Sequence, residues 1–564
     1  MTEVRSTSRH GVWLSAWITA VLSAASIVFI GFRLLLGLGE EDTDLYESPL
    51  MLSVARQLVV GPGELYGPFG GNNPLVLIHA PLYYRLAALA AWPMAWAGLH
   101  PVAAARIAGR SLSALGLVVT LAAAYRLARL RSGSRRAGWW AVLLIGASPA
   151  LAGQPFAVRP DMVGVALQTV GVLLVLSVLG GASGTGQRVV WSYLLFGLAA
   201  CVKQQFVVSA IVSTVLLLSA SRRGRVPFGT IMRGLAVCVA VVAFAYGVEW
   251  VVTGGRIWEA VFVAARGVGR VHPADWLHVA TVVAAVLGKE TGLVSLMAAA
   301  GLAAVRVRSV TGRWALATGI LIVVSIAGLS VVQLADSGPQ VTGSLAAVTL
   351  AALVLAIPVC VAFAWHSNED GRLDATLGAY WAAELILVVL LSRVTTGAWI
   401  NYAIQAIVFA AVLTARVLAR ALDAASSNRQ TLPAALAALA VLASALMDVK
   451  EAASRRRAEH AALTQIFLLA GQPPSAFFFV DRPGLNRVHG RLDLVYDDWL
   501  YPVFESLRLA EPRSRWLRPM LTAGPVQVVV LDSEIPRLDG ISETLPALGY
   551  LSAIRFGPFM VWSR

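Results

Sequence analysis

The chain has 564 residues, 58% of them hydrophobic and 13% charged, with a mean hydropathy of +0.72. That balance excludes a soluble globular domain and makes the lipid bilayer the solvent for most of the chain. The formal net charge of +14 does not call for nucleic acid as a partner, because the arginines sit in short runs between apolar segments, where the bias of cytoplasmic loops accounts for them.

The first apolar run, 12–38, follows Arg5 and Arg9 and is too long for a signal-peptide core. It reads as a retained anchor with a cytoplasmic N-terminus. The next stretch is acidic at five of the eight positions 40–47 and therefore faces outward. Carboxylates beside a membrane are costly and are kept for pairing or chemistry. Asp42-Thr43-Asp44 is a DxD, a spacing at which two carboxylates share a metal ion or flank one proton. The motif alone is weak. Its place in the acidic cluster makes Asp44, Asp42 and Glu47 candidates for a general base acting on a hydroxyl group. The bland reading is an acidic loop that only reports the outer face.

His79-Ala80-Pro81-Leu82-Tyr83-Tyr84 reads as an interfacial elbow, with Pro81 starting a helix and two tyrosines offering hydroxyls at headgroup depth. Segment 79–96 also carries Trp92 and Trp96, so it is expected to lie along the outer surface. Further spans are expected at 102–127, 138–151, 162–179, 189–202, 206–220, 228–252, 276–305, 314–334, 343–365, 375–391, 402–418 and 432–447. Basic runs at 126–136, 222–225, 306–313 and 416–429 fall at every second boundary. If each is cytoplasmic, the chain crosses about thirteen times and its C-terminal tail lies outside. Cys201, Cys238 and Cys360 all lie in apolar segments, which excludes a disulfide framework or a zinc site.

Several polar groups interrupt the spans where the bilayer makes them expensive. Arg159-Pro160-Asp161 opens the 162–179 span, and Lys203-Gln204-Gln205 occupies the turn between two short apolar segments. On this topology both groups reach the outer leaflet with Arg56, Arg393, Asn401 and Tyr402. Arg offers a planar fork and Lys a point charge, so the two suit a departing lipid phosphate. For Arg159 and Asp161 the structural alternative is a salt bridge at a helix start, where Asp161 also favours the positive dipole end. Lys289-Glu290 reads as a mutually satisfied structural pair. After 447 the hydropathy collapses, and strand-like runs at 477–480, 494–496, 526–531 and 559–562 point to a compact α/β domain.

The order of these features resembles the GT-C superfamily of membrane glycosyltransferases that use polyprenyl-phosphate sugars. The carriers are the first span, the acidic outward loop, HxPLYY at 79–84, RPDM at 159–162 and Lys203-Gln204 between short apolar segments. Within that superfamily they resemble the family-39-like branch, with protein mannosyltransferases and the aminoarabinose transferase of lipid A. The likeness is best over 12–225. It implies an inverting transferase whose base is Asp44, Asp42 or Glu47 and whose donor phosphate is bound by Lys203 and Arg159. Asp161, His79, Tyr83, Tyr84, Gln204, Asn401 and Tyr402 are then expected around the substrates. Two departures stand out: relatives often carry an Asp-Glu pair at the base position, and Ala80 replaces the first proline of an HPPL elbow.

The expected architecture is an all-α polytopic membrane domain, 1–448, whose first extracytoplasmic loop spans 39–101, followed by a small extracytoplasmic α/β domain, 449–564. The expected activity is transfer of a sugar from a polyprenyl phosphate to a hydroxyl on a lipid, glycan or protein outside the cytoplasm of a cell envelope. No cofactor is obligatory, and Asp42 and Asp44 are compatible with bound Mg or Mn. The alternative is a transporter or flippase for a lipid-linked sugar, which would place its charges near midplane and often shows a repeat of spans. A membrane scaffold makes no use of the acidic loop.

Overall fold

The computed structural model describes residues 47–67, 77–130, 133–148, 157–264, 369–394, 400–424, 477–479, 528–532, 545–550, 552–556 and 559–563, with isolated positions elsewhere. Asp42, Asp44, Lys289, Glu290 and Cys360 lie outside the described residues, as do the expected spans 314–334, 343–365 and 432–447 and the expected strand 494–496.

Ten helices organise the described membrane part: α1 (Glu47–Val59), α2 (Leu82–Trp96), α3 (Pro101–Arg129), α4 (Arg135–Gly146), α5 (Asp161–Leu179), α6 (Thr185–Val202), α7 (Val208–Ser221), α8 (Phe228–Val252), α9 (Glu369–Val394) and α10 (Ile404–Ala424). Their starts follow from local chemistry. Glu47 occupies the first turn of α1, where the exposed N–H groups favour an anion. The His100 side chain accepts from the Val102 N–H at the head of α3, with Pro101 in the first turn, and Ser134 does the same for Ala137 at the head of α4. Arg126 and Arg129 close α3 at the end where cations suit the dipole.

Five helices among the described residues are long and apolar enough to cross a bilayer: Pro101–Arg129, Asp161–Leu179, Gln204–Ser221, Phe228–Val252 and Thr376–Arg393. The expectation of about thirteen crossings is met only that far. The expected span 138–151 forms a helix of 12 residues, short of the roughly 20 that a crossing needs. The 15-residue α2 is likewise short of a crossing; Trp92 and Trp96 are exposed on it, whereas Tyr83 and Tyr84 are buried.

Small residues set the depth at which helices meet. At Gly116, near the middle of the 29-residue α3, an added Cβ would sit 2.7 Å from the Met162 carbonyl oxygen. The head of α5 is therefore seated halfway along α3 rather than level with its end. At Gly164 an added Cβ would fall 1.9 Å from the Phe206 ring, so α5 grips the turn between α6 and α7 in the same region. At the far end of α3, the Arg416 side chain ties three helices together. Its Nη1 donates to the carbonyls of Ala128 and Leu130 at 3.1 and 2.7 Å, and its Nε pairs with Asp374 of α9.

The C-terminal part contributes a four-stranded sheet of β1 (Phe477–Phe479), β2 (Val528–Asp532), β3 (Ser552–Phe556) and β4 (Phe559–Ser563), in the order β1-β2-β4-β3. β1 and β2 are parallel, which demands a crossover connection, and β4 pairs antiparallel with both β2 and β3. The three expected strands that fall on described residues are all present. β3 was not expected: it is the short edge strand of a hairpin with β4.

Candidate functional site

The chain turns at Lys203 because α6 ends there in extended backbone (φ −157°, ψ 132°) before a single 3-10 turn, Gln204–Val207, opens α7. This elbow carries the Lys203 ammonium to Asp161, the first residue of α5, with Nζ 2.8 Å from Oδ1. Both side chains are nearly sequestered, at 4% and 2% exposure. The ring of Tyr402 covers the ammonium, its centroid 4.2 Å from Nζ. A buried charge of this kind is tolerable only because it is paired and its cation faces an aromatic quadrupole.

The His79–Tyr84 elbow packs against the same pair. Gln204 Nε2 donates to the Ile78 carbonyl at 3.1 Å, and the Tyr66 hydroxyl donates to the His79 carbonyl at 2.7 Å. These two bonds hold the peptide on either side of the imidazole. Burial, and after it the Lys203 charge, push the His79 pKa down to about 3, with Arg159 acting in the same sense and Asp161 against it. The imidazole is therefore neutral at physiological pH. Tyr84 projects a fully buried hydroxyl that has no hydrogen-bond partner, in the fields of Asp161 and Arg159. Its neighbour turns the other way: the Tyr83 hydroxyl donates to the Gly109 carbonyl at 2.8 Å and lies 3.0 Å from Ser113 Oγ, both on α3.

Arg159 is fixed through its main chain, whose carbonyl accepts from Ser113 Oγ at 3.0 Å. Glu47 lies one step away. Its carboxylate takes a bidentate bond from Arg110 Nε and Nη2 at 2.9 and 3.0 Å and a third from the Val158 N–H at 2.8 Å. The first turn of α1, where the acidic stretch ends, is thus bonded to the residue before Arg159. Both oxygens of Glu47 are engaged in this lock.

Of the expected site residues, Lys203, Asp161, His79, Tyr84, Arg159, Gln204 and Tyr402 come together. Tyr83 is directed into the α3 contact. Asn401 lies in the 3-10 turn Ile400–Ala403 that delivers Tyr402, and only its main chain is described. Arg56 pairs with Glu64 at 3.0 Å, and Arg393 is exposed in the last turn of α9. Among the described residues no three His, Cys, Asp or Glu side chains gather as metal ligands.

Besides Arg110, which holds Glu47, two more features escaped the sequence reading. Arg85 is a hub, bonding Glu249 of α8 bidentately at 2.6 and 2.8 Å, Gln57 of α1 at 2.7 Å and the Pro62 carbonyl at 2.7 Å. It fastens the 61–67 turn that supplies Tyr66 to His79. Glu384 sits buried in the middle of an apolar helix; a lone acidic residue within the 375–391 run was the available signal.

No family model matches the sequence, and no curated protein matches it. Among solved structures, the chain is similar to ArnT from Cupriavidus metallidurans bound to undecaprenyl phosphate, at 13% identity and a TM-score of 0.47, over 97% of this chain and 98% of that one. It is also similar to the archaeal oligosaccharyltransferase AglB from Archaeoglobus fulgidus in complex with an inhibitory peptide and a dolichol-phosphate, at 13% identity and a TM-score of 0.48, over 98% of this chain and 74% of that one.

Proposed function

We propose that the chain is an integral-membrane glycosyltransferase of GT-C type, moving a sugar from a polyprenyl-phosphate donor to a hydroxyl acceptor on the extracytoplasmic face with inversion. The observation that carries this reading is the convergence of the Lys203 elbow, the Arg159 turn and the His79–Tyr84 elbow beside the residue that ends the acidic stretch. Glu47 follows Asp44 by three residues, a reach of at most about 11 Å along the chain. The bond from the Val158 N–H to Glu47 therefore ties that stretch to the cationic cluster.

In this mechanism the Asp44 carboxylate takes the proton of the acceptor hydroxyl, assisted by Asp42. The oxygen attacks the anomeric carbon from the face opposite the phosphate, and the bond from that carbon to the phosphate oxygen breaks. Lys203 and Arg159 stabilise the charge that grows on the leaving lipid phosphate. Lys203 has three N–H donors and gives one to Asp161, which leaves donors for a phosphate oxygen. Neutral His79 and the unpartnered Tyr84 hydroxyl supply uncharged hydrogen bonds to the same headgroup. Glu47, with both oxygens engaged, holds the acidic stretch in place.

The test is transfer by purified protein carrying Asp44→Asn, Asp42→Asn or Glu47→Gln. Loss of about two orders of magnitude or more is expected for the residue acting as base. Undiminished transfer in all three variants would remove the mechanism. A second reading, transport of a lipid-linked sugar, is favoured by one observation, the carboxyl of Glu384 in the middle of a span. Release of polyprenyl phosphate distinguishes the two, because only the transferase produces it.

A further inference from the structure

Glu384 stands eight residues from one end and nine from the other of the candidate span Thr376–Arg393. It is 2% exposed. At that depth a carboxylate is at its most expensive, and the usual remedy is a cationic side chain in contact. Glu384 has none. Its partners are the Ser209 hydroxyl at 3.2 Å and the Gln168 side chain, whose Nε2 also donates to the Phe206 carbonyl at 2.9 Å.

Helix register identifies what else faces it. On α9 and α10, Asp374 meets Arg416 and Tyr380 stacks near Phe409, with centroids 5.5 Å apart, so the two helices run antiparallel. One turn further along, Glu384 comes level with Gln405. On α7 and α9, Ser213 meets Tyr380 at 2.7 Å and Ser209 meets Glu384, which is antiparallel again. Gln405 in turn donates to Thr169, next to Gln168 on α5, at 3.3 Å. Four helices thus place one carboxyl and two glutamine side chains in one layer. The Oε1 atoms of both Gln168 and Gln405 are buried and accept no hydrogen bond.

The layer has an excess of acceptor oxygens, and an ionised Glu384 would add one negative charge that no described side chain compensates. Both deficits are met by a single positive charge, and the count of one carboxylate rules against a divalent ion, which would leave a net charge at midplane. We propose that the layer of Glu384, Gln168 and Gln405 is a binding site for one monovalent cation, a proton or a sodium ion, held by carboxyl and amide oxygens. Neighbouring titratable groups are already engaged. Tyr380 is bonded to Ser213, Tyr402 covers Lys203, and Lys203 is paired with Asp161; none of them bonds Glu384. The site is independent of glycosyl transfer and would serve either reading above.

The test uses the full-length protein in lipid vesicles, with two readouts. One is the infrared carbonyl band of a protonated carboxyl, taken as the difference between wild type and Glu384→Gln. The other is the melting temperature in sodium chloride against choline chloride at equal ionic strength. Proton occupancy gives a band that is absent from E384Q and no sodium effect. Sodium occupancy gives no band in sodium, and a sodium-specific rise in melting temperature that E384Q loses. An ionised carboxylate with no sodium-specific stabilisation overturns the proposal. Gln405→Leu keeps the carboxyl and serves even where E384Q does not fold. It is expected to shift the band or weaken sodium binding about tenfold, and identical behaviour to wild type in both readouts overturns the proposal as well.

Discussion

The Lys203–Asp161 pair can be tested for stability and chemistry separately. Replacing only Lys203 by Met leaves Asp161 buried and unpaired, a loss of about 3–5 kcal/mol that is expected in thermal or denaturant unfolding of the purified protein. Replacing both, as Lys203→Met with Asp161→Leu, is expected to restore most of that stability, because an apolar pair of similar volume avoids the desolvation penalty. Transfer should be absent from both variants. If the double variant transfers sugar, the ion pair is structural only. His79 gives a pH signature. Its folded pKa of about 3 lies below the ordinary value of about 6.5, so the unfolded chain binds the proton more tightly. The stability this group contributes is complete above about pH 6.5 and is lost as pH falls toward 3. His79→Gln is expected to flatten that acid limb in melting temperatures measured across the pH range. The residues of the pair and the elbow were legible in the sequence because charge inside an apolar run is costly on its face. Arg110 and Arg85 were not, since an arginine in a helix of small apolar residues does not show which distant carboxylate it meets.

The helices place the site through close approaches that permit no bulk. Gly164→Ala would set a Cβ against the Phe206 ring, displacing the turn that carries Lys203. A cost of about 1–3 kcal/mol is expected, with transfer reduced more than by an alanine at Gly229, where a Cβ meets nothing within 4 Å. Element boundaries were read well where hydropathy changes sharply: the expected 228–252 matches α8 and the expected 162–179 begins one residue inside α5. They were read poorly where a helix is too short to cross. The apolar run at 138–151 continues past Gly146, but the helix stops there, and hydropathy alone cannot tell a crossing from a helix packed within the bundle. β3 was hidden for a different reason. It is a five-residue edge strand whose Ile554 faces solvent and whose Arg555 breaks the apolar run, leaving no alternation to detect.

Across the described residues, the chain is a polytopic helical membrane protein with a small C-terminal sheet, and its two buried polar layers lie on shared helices. α5 begins at Asp161 and carries Gln168 two turns on; α10 follows Tyr402 and carries Gln405 one turn on. The Arg416 tie at the opposite end of α3 joins α10 to α3 and α9. Arg416→Leu removes one buried cation and its bonds to two carbonyls and Asp374, and a loss of about 3–5 kcal/mol is expected, read as a lowered melting temperature. A helix of 29 residues is about 43 Å long, and the head of α5 meets it at Gly116, roughly 20 Å from either tip. An alanine at Gly116 would therefore meet main-chain atoms of Met162 and Val163 rather than a side chain that can yield, and would push the head of α5, with Asp161 on it, away from α3.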